Sequence, residues 1–157
     1  MASRDKAWVF STAQAMPNAT QSICTYIFDW TSSELMALKN TEPQLWLVVT
    51  CNTVPTGTSL KIEVYQHSTT TITSGDLLMT GRDMAVADMS AKAQDPGHWL
   101  FHVPVMSVLG NLQADDVDQY MGIVMDATGN CSDGKIDAWL QHGQPLIPTT
   151  QVLTSNI

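Results

Sequence analysis

The chain has 157 residues, a length that fits one domain and buries roughly 70% of the surface its unfolded form exposes. Fifteen acidic residues against seven basic ones give a net charge of −8, which argues against binding to phosphate backbones or anionic membranes, since both rest on Lys and Arg. Charged residues make up only 14%, low against a typical ~25%, and a surface richer in Thr, Ser, Asn and Gln suits a protein partly covered by neighbours.

Three cysteines, Cys24, Cys51 and Cys131, are odd in number and contain no CxxC pair, so buried thiols in a reducing compartment are expected. The apolar run Ala7-Trp8-Val9-Phe10 is too short for a signal-peptide core. The longest strongly apolar run, residues 45–49, falls far below the ~20 residues that span a bilayer. A soluble protein made in cytoplasm is the expectation.

Residues 1–17 begin polar, carry Trp8 and Phe10 on one side of an alternating run and stop at Pro17, as an N-terminal arm or a first strand would. Residues 23–28, rich in β-branched and aromatic side chains, read as a strand. Thr31-Ser32-Ser33-Glu34 fits a capping box and predicts a short helix through Lys39. Residues 45–51 form a nearly continuous apolar run, and after the turn formers of 52–58 comes strict alternation of Leu60, Ile62 and Val64 with Lys61, Glu63 and Tyr65. This pair reads as a hairpin around which the sheet is organised.

A Thr-rich segment, residues 68–75, follows, then two short extended pieces, 77–80 and 84–87, on either side of Gly81. Asp95-Pro96-Gly97 predicts a turn, 98–103 a strand ended by Pro104, and 111–118 an exposed acidic loop. Strands over 120–125 and 135–140, joined by a turn, read as a second hairpin. The mostly polar residues 143–157 form a tail. The sum predicts an all-β, antiparallel β-sandwich or jelly roll with at most one short helix and extended termini. Its parts are an arm or first strand at 1–17, the sandwich at 18–142 and the tail at 143–157.

Few residues suggest chemistry. His98 and His102 lie four apart, which on a strand separates them by ~13 Å, too far for one ion. Asp126 to Asp137 nearly matches a calcium loop, but Cys131 stands where glycine is needed and Asp137 where Glu is needed. No nucleophile elbow, phosphate loop or dinucleotide fingerprint is present, and nothing calls for an enzyme, a cofactor or a metal. Trp8 on the arm and Trp30 at a strand end are candidates for contact with another chain, whereas Trp46, Trp99 and Trp139 are expected in the core. Asp115, Asp116 and Asp118 suit a cation or a basic partner, although most such runs are simply solvated.

Phe10-Ser11-Thr12-Ala13-Gln14-Ala15, residues 45–50, 58–68 and 77–87, and Gly134-Lys135-Ile136-Asp137-Ala138-Trp139-Leu140 occur in an order that resembles the jelly-roll capsid cement proteins of short-tailed bacteriophages, Bordetella-phage type. The resemblance covers roughly residues 8–142. It implies a non-enzymatic decoration protein on the outer surface of the virion capsid that bridges major capsid protein subunits as a homo-oligomer, dimer or trimer. On that reading Trp8, Phe10, Trp30, Asp115, Asp116 and Asp118 are the candidate interface, with no nucleic acid or membrane partner. A carbohydrate-binding jelly-roll module that stacks exposed Trp and Tyr on sugars is the alternative.

Overall fold

A computed structural model describes residues 9–29, 44–109 and 119–145. The helix expected at 31–39 and the acidic loop at 111–118 lie outside the described residues. Ten strands are described: β1 (Val9–Ala15), β2 (Gln21–Ile23), β3 (Phe28–Asp29), β4 (Leu45–Thr53), β5 (Ser59–His67), β6 (Asp76–Thr80), β7 (Met84–Ala85), β8 (Trp99–Pro104), β9 (Tyr120–Thr128) and β10 (Lys135–His142). One turn of α-helix, Val105–Leu109, follows β8.

The strands form two antiparallel layers. Sheet one has the order β1-β10-β4-β8, and sheet two has the order β2-β9-β5-β6. β3 continues the line of β2 along β9, and β7 continues that of β6 along β5, so each layer is effectively four strands wide. The chain crosses from one layer to the other at nearly every connection, and only β5 and β6 form an adjacent hairpin. That alternation of layers is the jelly-roll topology, a double-sheet answer to the problem of open edges.

This order corrects the two expected hairpins. β4 pairs with β10 and β8, while β5 pairs with β9, β6 and β7, so residues 45–67 form an arch between layers. β9 and β10 likewise belong to opposite sheets. The physical reason is loop length and burial. A tight hairpin favours two-residue turns, whereas residues 54–58 and 129–134 are long enough to span the ~10 Å between stacked sheets. Both of the joined strands also bury an apolar row that has to face the other layer.

The core lies between the sheets, where alternation presents Leu45, Leu47, Val49 and Cys51 of β4 to Leu60, Ile62 and Val64 of β5. Met121, Ile123 and Met125 of β9 and Ile136, Ala138 and Leu140 of β10 complete the two inner faces. Each large apolar side chain fully buried in this way contributes ~1.5–3 kcal/mol relative to exposure. The expected strand at 23–28 is broken at Cys24, whose thiol accepts the Ile123 amide at 3.2 Å where a strand carbonyl would otherwise serve.

Candidate interaction surface

At one end of the sandwich, three arches fasten to each other through main-chain bonds. The Thr58 amide donates to the Thr128 carbonyl at 3.0 Å, Met16 to Gly134 at 2.9 Å, and Ala19 to Gly129 at 2.9 Å. Gly57 sits so close to the 129–134 arch that a Cβ there would meet Cys131 Sγ at 2.5 Å. Asp133 accepts the Thr56 amide at 3.0 Å, and that bond holds its carboxyl below the usual carboxylate range. The near-calcium loop is spent on these contacts. Asp126 pairs with Lys61, Asp137 accepts from Ala13 and Asn52, and Asn130 accepts from Ser132. Their oxygens do not converge, and among the described residues no cluster of His, Cys, Asp and Glu is arranged to hold a metal ion.

One lateral edge of the sandwich is closed. β1 carries two register shifts against β10, between Val9 and Ser11 and between Ser11 and Gln14, and Ala13 adopts φ 45°. That left-handed turn, uncommon for alanine, aims the Ala13 amide at Asp137 Oδ1, 2.7 Å away. Gln14 then reaches across to the other layer, donating to the Ile23 carbonyl at 2.7 Å and accepting the Thr25 amide at 2.8 Å, with Ser11 Oγ also donating to it. The Tyr26 amide donates to the Phe10 carbonyl at 2.8 Å.

Phe10 itself is 0% exposed and packs in the core, which corrects its assignment as an interface residue. Pairing with β10 makes β1 an integral strand, and alternation turns the ring inward. The other candidates, Trp8, Trp30, Asp115, Asp116 and Asp118, lie outside the described residues.

Among the described residues, the opposite lateral edge is open. β6 and β7 are separated by Gly81, Arg82 and Asp83, and across from them β8 pairs with β4 alone among the described strands. Between them runs a groove of about 420 Å³, floored by Leu100, Phe101 and Met84 and rimmed by Arg82, Trp99 and His102. Gly81 donates its amide to the Ile62 carbonyl at 2.7 Å and lies against the Phe101 ring, which a Cβ would approach to 2.7 Å. Burial lowers the pKa of His102, favouring its neutral form. Arg82 and Asp83 are exposed, and neither makes an ion pair or side-chain hydrogen bond among the described residues. Sequence reading missed this edge; its one signal was a glycine followed by opposite charges between two strand-like pieces.

The outer faces differ in character. On sheet two, Lys61 lies 3.1 Å from Glu63 and 3.4 Å from Asp126, and Tyr65 donates to Glu63 at 3.2 Å. The hydrogen bond to Glu63 is the main reason the Lys61 pKa is raised, while burial comes first for the raised pKa of Tyr65. On sheet one, alternation with the core positions turns Trp46 and Trp139 away from sheet two. The Trp139 indole donates to Gln141, two residues along the same face, at 2.9 Å. Trp99, paired with Thr50, faces the same way and donates to the Ala93 carbonyl at 3.2 Å. Trp139 is buried, as expected, though on the outer side of its sheet, whereas Trp46 and Trp99 are only half-buried and do not pack in the core, contrary to expectation.

The three thiols are buried and unpaired. Burial pushes Cys24 and Cys51 each up to about 11 and also raises Cys131, so these are protonated packing groups and not nucleophiles. Comparison with protein-family models found no match, and neither did comparison with curated proteins.

Proposed function

We propose that this chain is a capsid cement protein that binds the outer surface of a phage head and bridges major capsid protein subunits. The observation that carries the reading is where the resembling segments fall: residues 10–15 lie on β1, 45–50 on β4, 58–68 around β5, 77–87 across β6 and β7, and 134–140 at the start of β10 and the residue before it. They supply six of the ten described strands of the jelly-roll frame, and the Phe10–Ala15 segment closes one of its edges. A frame of this kind leaves whole outer faces available for contact. It acts by binding the assembled shell and not its separated subunits, so its binding free energy adds to shell stability by linkage. Many modest contacts repeated around a closed shell supply the strength that no single site needs to have.

The test is cryo-microscopy of mature heads from the virus that encodes the chain. The expected map shows this sandwich on the outer surface between capsid subunits, and a shell without it overturns the reading. The carbohydrate-binding alternative has the half-buried indole of Trp99 beside the groove in its favour. A glycan array separates the two, because a cement protein gives no saturable signal there.

A further inference from the structure

We propose that two copies of this chain pair edge to edge along β8, about a twofold axis that sets Arg82 of each copy against Asp83 of the partner subunit. The inference rests on the edges of the sandwich and is independent of the capsid reading.

An unpaired strand edge is a row of open donors and acceptors, and proteins that remain single blunt such edges with charges, bulges or interruptions. Among the described residues, three of the four lateral edges are blunted. β1 is bulged and tied down through Ala13 and Gln14. β2 and β3 are three and two residues long and are broken at Cys24. β6 and β7 are split by residues 81–83. β8 is the exception. Trp99-Leu100-Phe101-His102-Val103-Pro104 carries no Asp, Glu, Lys or Arg, its one register shift falls at its start, and Pro104 ends it without interrupting its middle.

Charge then selects the occupant. Two copies of a chain with net charge −8 repel each other, so they meet most readily where a surface is uncharged or complementary to itself. β8 and the neighbouring β4 are both uncharged. Beside them Arg82 and Asp83 are adjacent, opposite in sign, exposed and without an ion-pair partner among the described residues. Contact between the Phe101 ring and Gly81 places this pair level with the middle of β8. In an antiparallel twofold interface, residue i meets residue j while j meets i. Neighbouring opposite charges at its centre therefore each face their opposite, and the uncharged edges pair alongside.

Sedimentation equilibrium of the full chain tests this. The expected mass is twice the 17.2 kDa of the chain. R82D and D83R each place like charges across the axis and are expected to weaken the dimer by about tenfold or more. The double reversal R82D/D83R restores opposite pairing and is expected to recover the parental affinity, which also controls for folding. A chain that remains monomeric, a trimer mass, single reversals that dimerise as tightly as the parent, or a double reversal that fails to recover would each overturn the proposal.

Discussion

The carboxamide of Gln14, on β1 in sheet one, donates to the main-chain carbonyl of Ile23, on β2 in sheet two, at 2.7 Å. Its oxygen also accepts the Thr25 amide at 2.8 Å and the Thr25 hydroxyl at 3.0 Å. One side chain thus joins two layers that share no strand pairing at that edge. Gln14→Leu takes this donor from the Ile23 carbonyl and leaves the Thr25 amide only Ser11 Oγ, 3.2 Å away, and the expected loss is about 1–3 kcal/mol of unfolding free energy. Gln14→Glu keeps the acceptor for Thr25 but sets a carboxylate oxygen against the Ile23 carbonyl, so it should recover little. Urea denaturation of the two variants checks both statements, and an unaffected Gln14→Leu would remove the bridge from the account.

That bridge shows what sequence could and could not reveal. Alternation over Leu60, Ile62 and Val64, or over Ile136, Ala138 and Leu140, records which face of a strand is apolar, and those residues are in the core as the pattern requires. Alternation is silent on which sheet supplies the opposing face. Residues 45–67 therefore read as a hairpin, although β4 and β5 belong to different layers. A lone Gln in a polar segment gives no sign that it will reach across an edge, since its partners are main-chain atoms nine and eleven residues away. Arg82 and Asp83 showed only as opposite charges after a glycine, because their setting depends on β8, which the jelly-roll order brings beside them.

Phe10 decides whether the start of β1 is frame or arm. Its ring is fully buried among core residues, so Phe10→Ala is expected to cost about 3–5 kcal/mol. A residue that merely touched a neighbouring chain would lose little in the isolated protein. Thermal or urea unfolding of the purified variant reads this directly. A change within a few tenths of a kcal/mol would restore the arm assignment.

Cys24 predicts how stability responds to alkali. Its thiol is raised from the ordinary 9.0 to about 11, mainly by burial, with the Ile123 amide partly opposing the shift. A raised folded pKa means that the folded state holds the proton more tightly than the unfolded state does. The associated stability is fully present below pH 9 and is lost as pH rises through about 11. Cys51, also raised to about 11 by burial, acts with the same sign. The stability difference between the parent and Cys24→Ala should therefore shrink as pH is taken from 9 to 11. Thiol reagents at neutral pH should label the cysteines only as fast as the chain unfolds, and prompt labelling of the native protein would contradict this burial.

Thr50 is the one described side chain whose buried polar atom lacks a partner. It is 1% exposed, and its Oγ1 makes no hydrogen bond. It belongs to β4, and alternation with Val49 and Cys51 turns it away from the core, between Asp137 on β10 and Trp99 on β8. A buried hydroxyl without a partner costs free energy that a methyl group in the same place does not. Thr50→Val should therefore raise stability by about 1 kcal/mol, aided by the preference of β-branched apolar residues for strands. Thr50→Ser keeps the hydroxyl and removes the methyl, so it should fall below the parent by about 1 kcal/mol through lost packing. Chemical denaturation of the three proteins is expected to give the order Val, Thr, Ser from most to least stable. If Thr50→Val were instead the less stable protein, the hydroxyl would have to be hydrogen-bonded, and the outer face of sheet one would hold a polar contact at its centre.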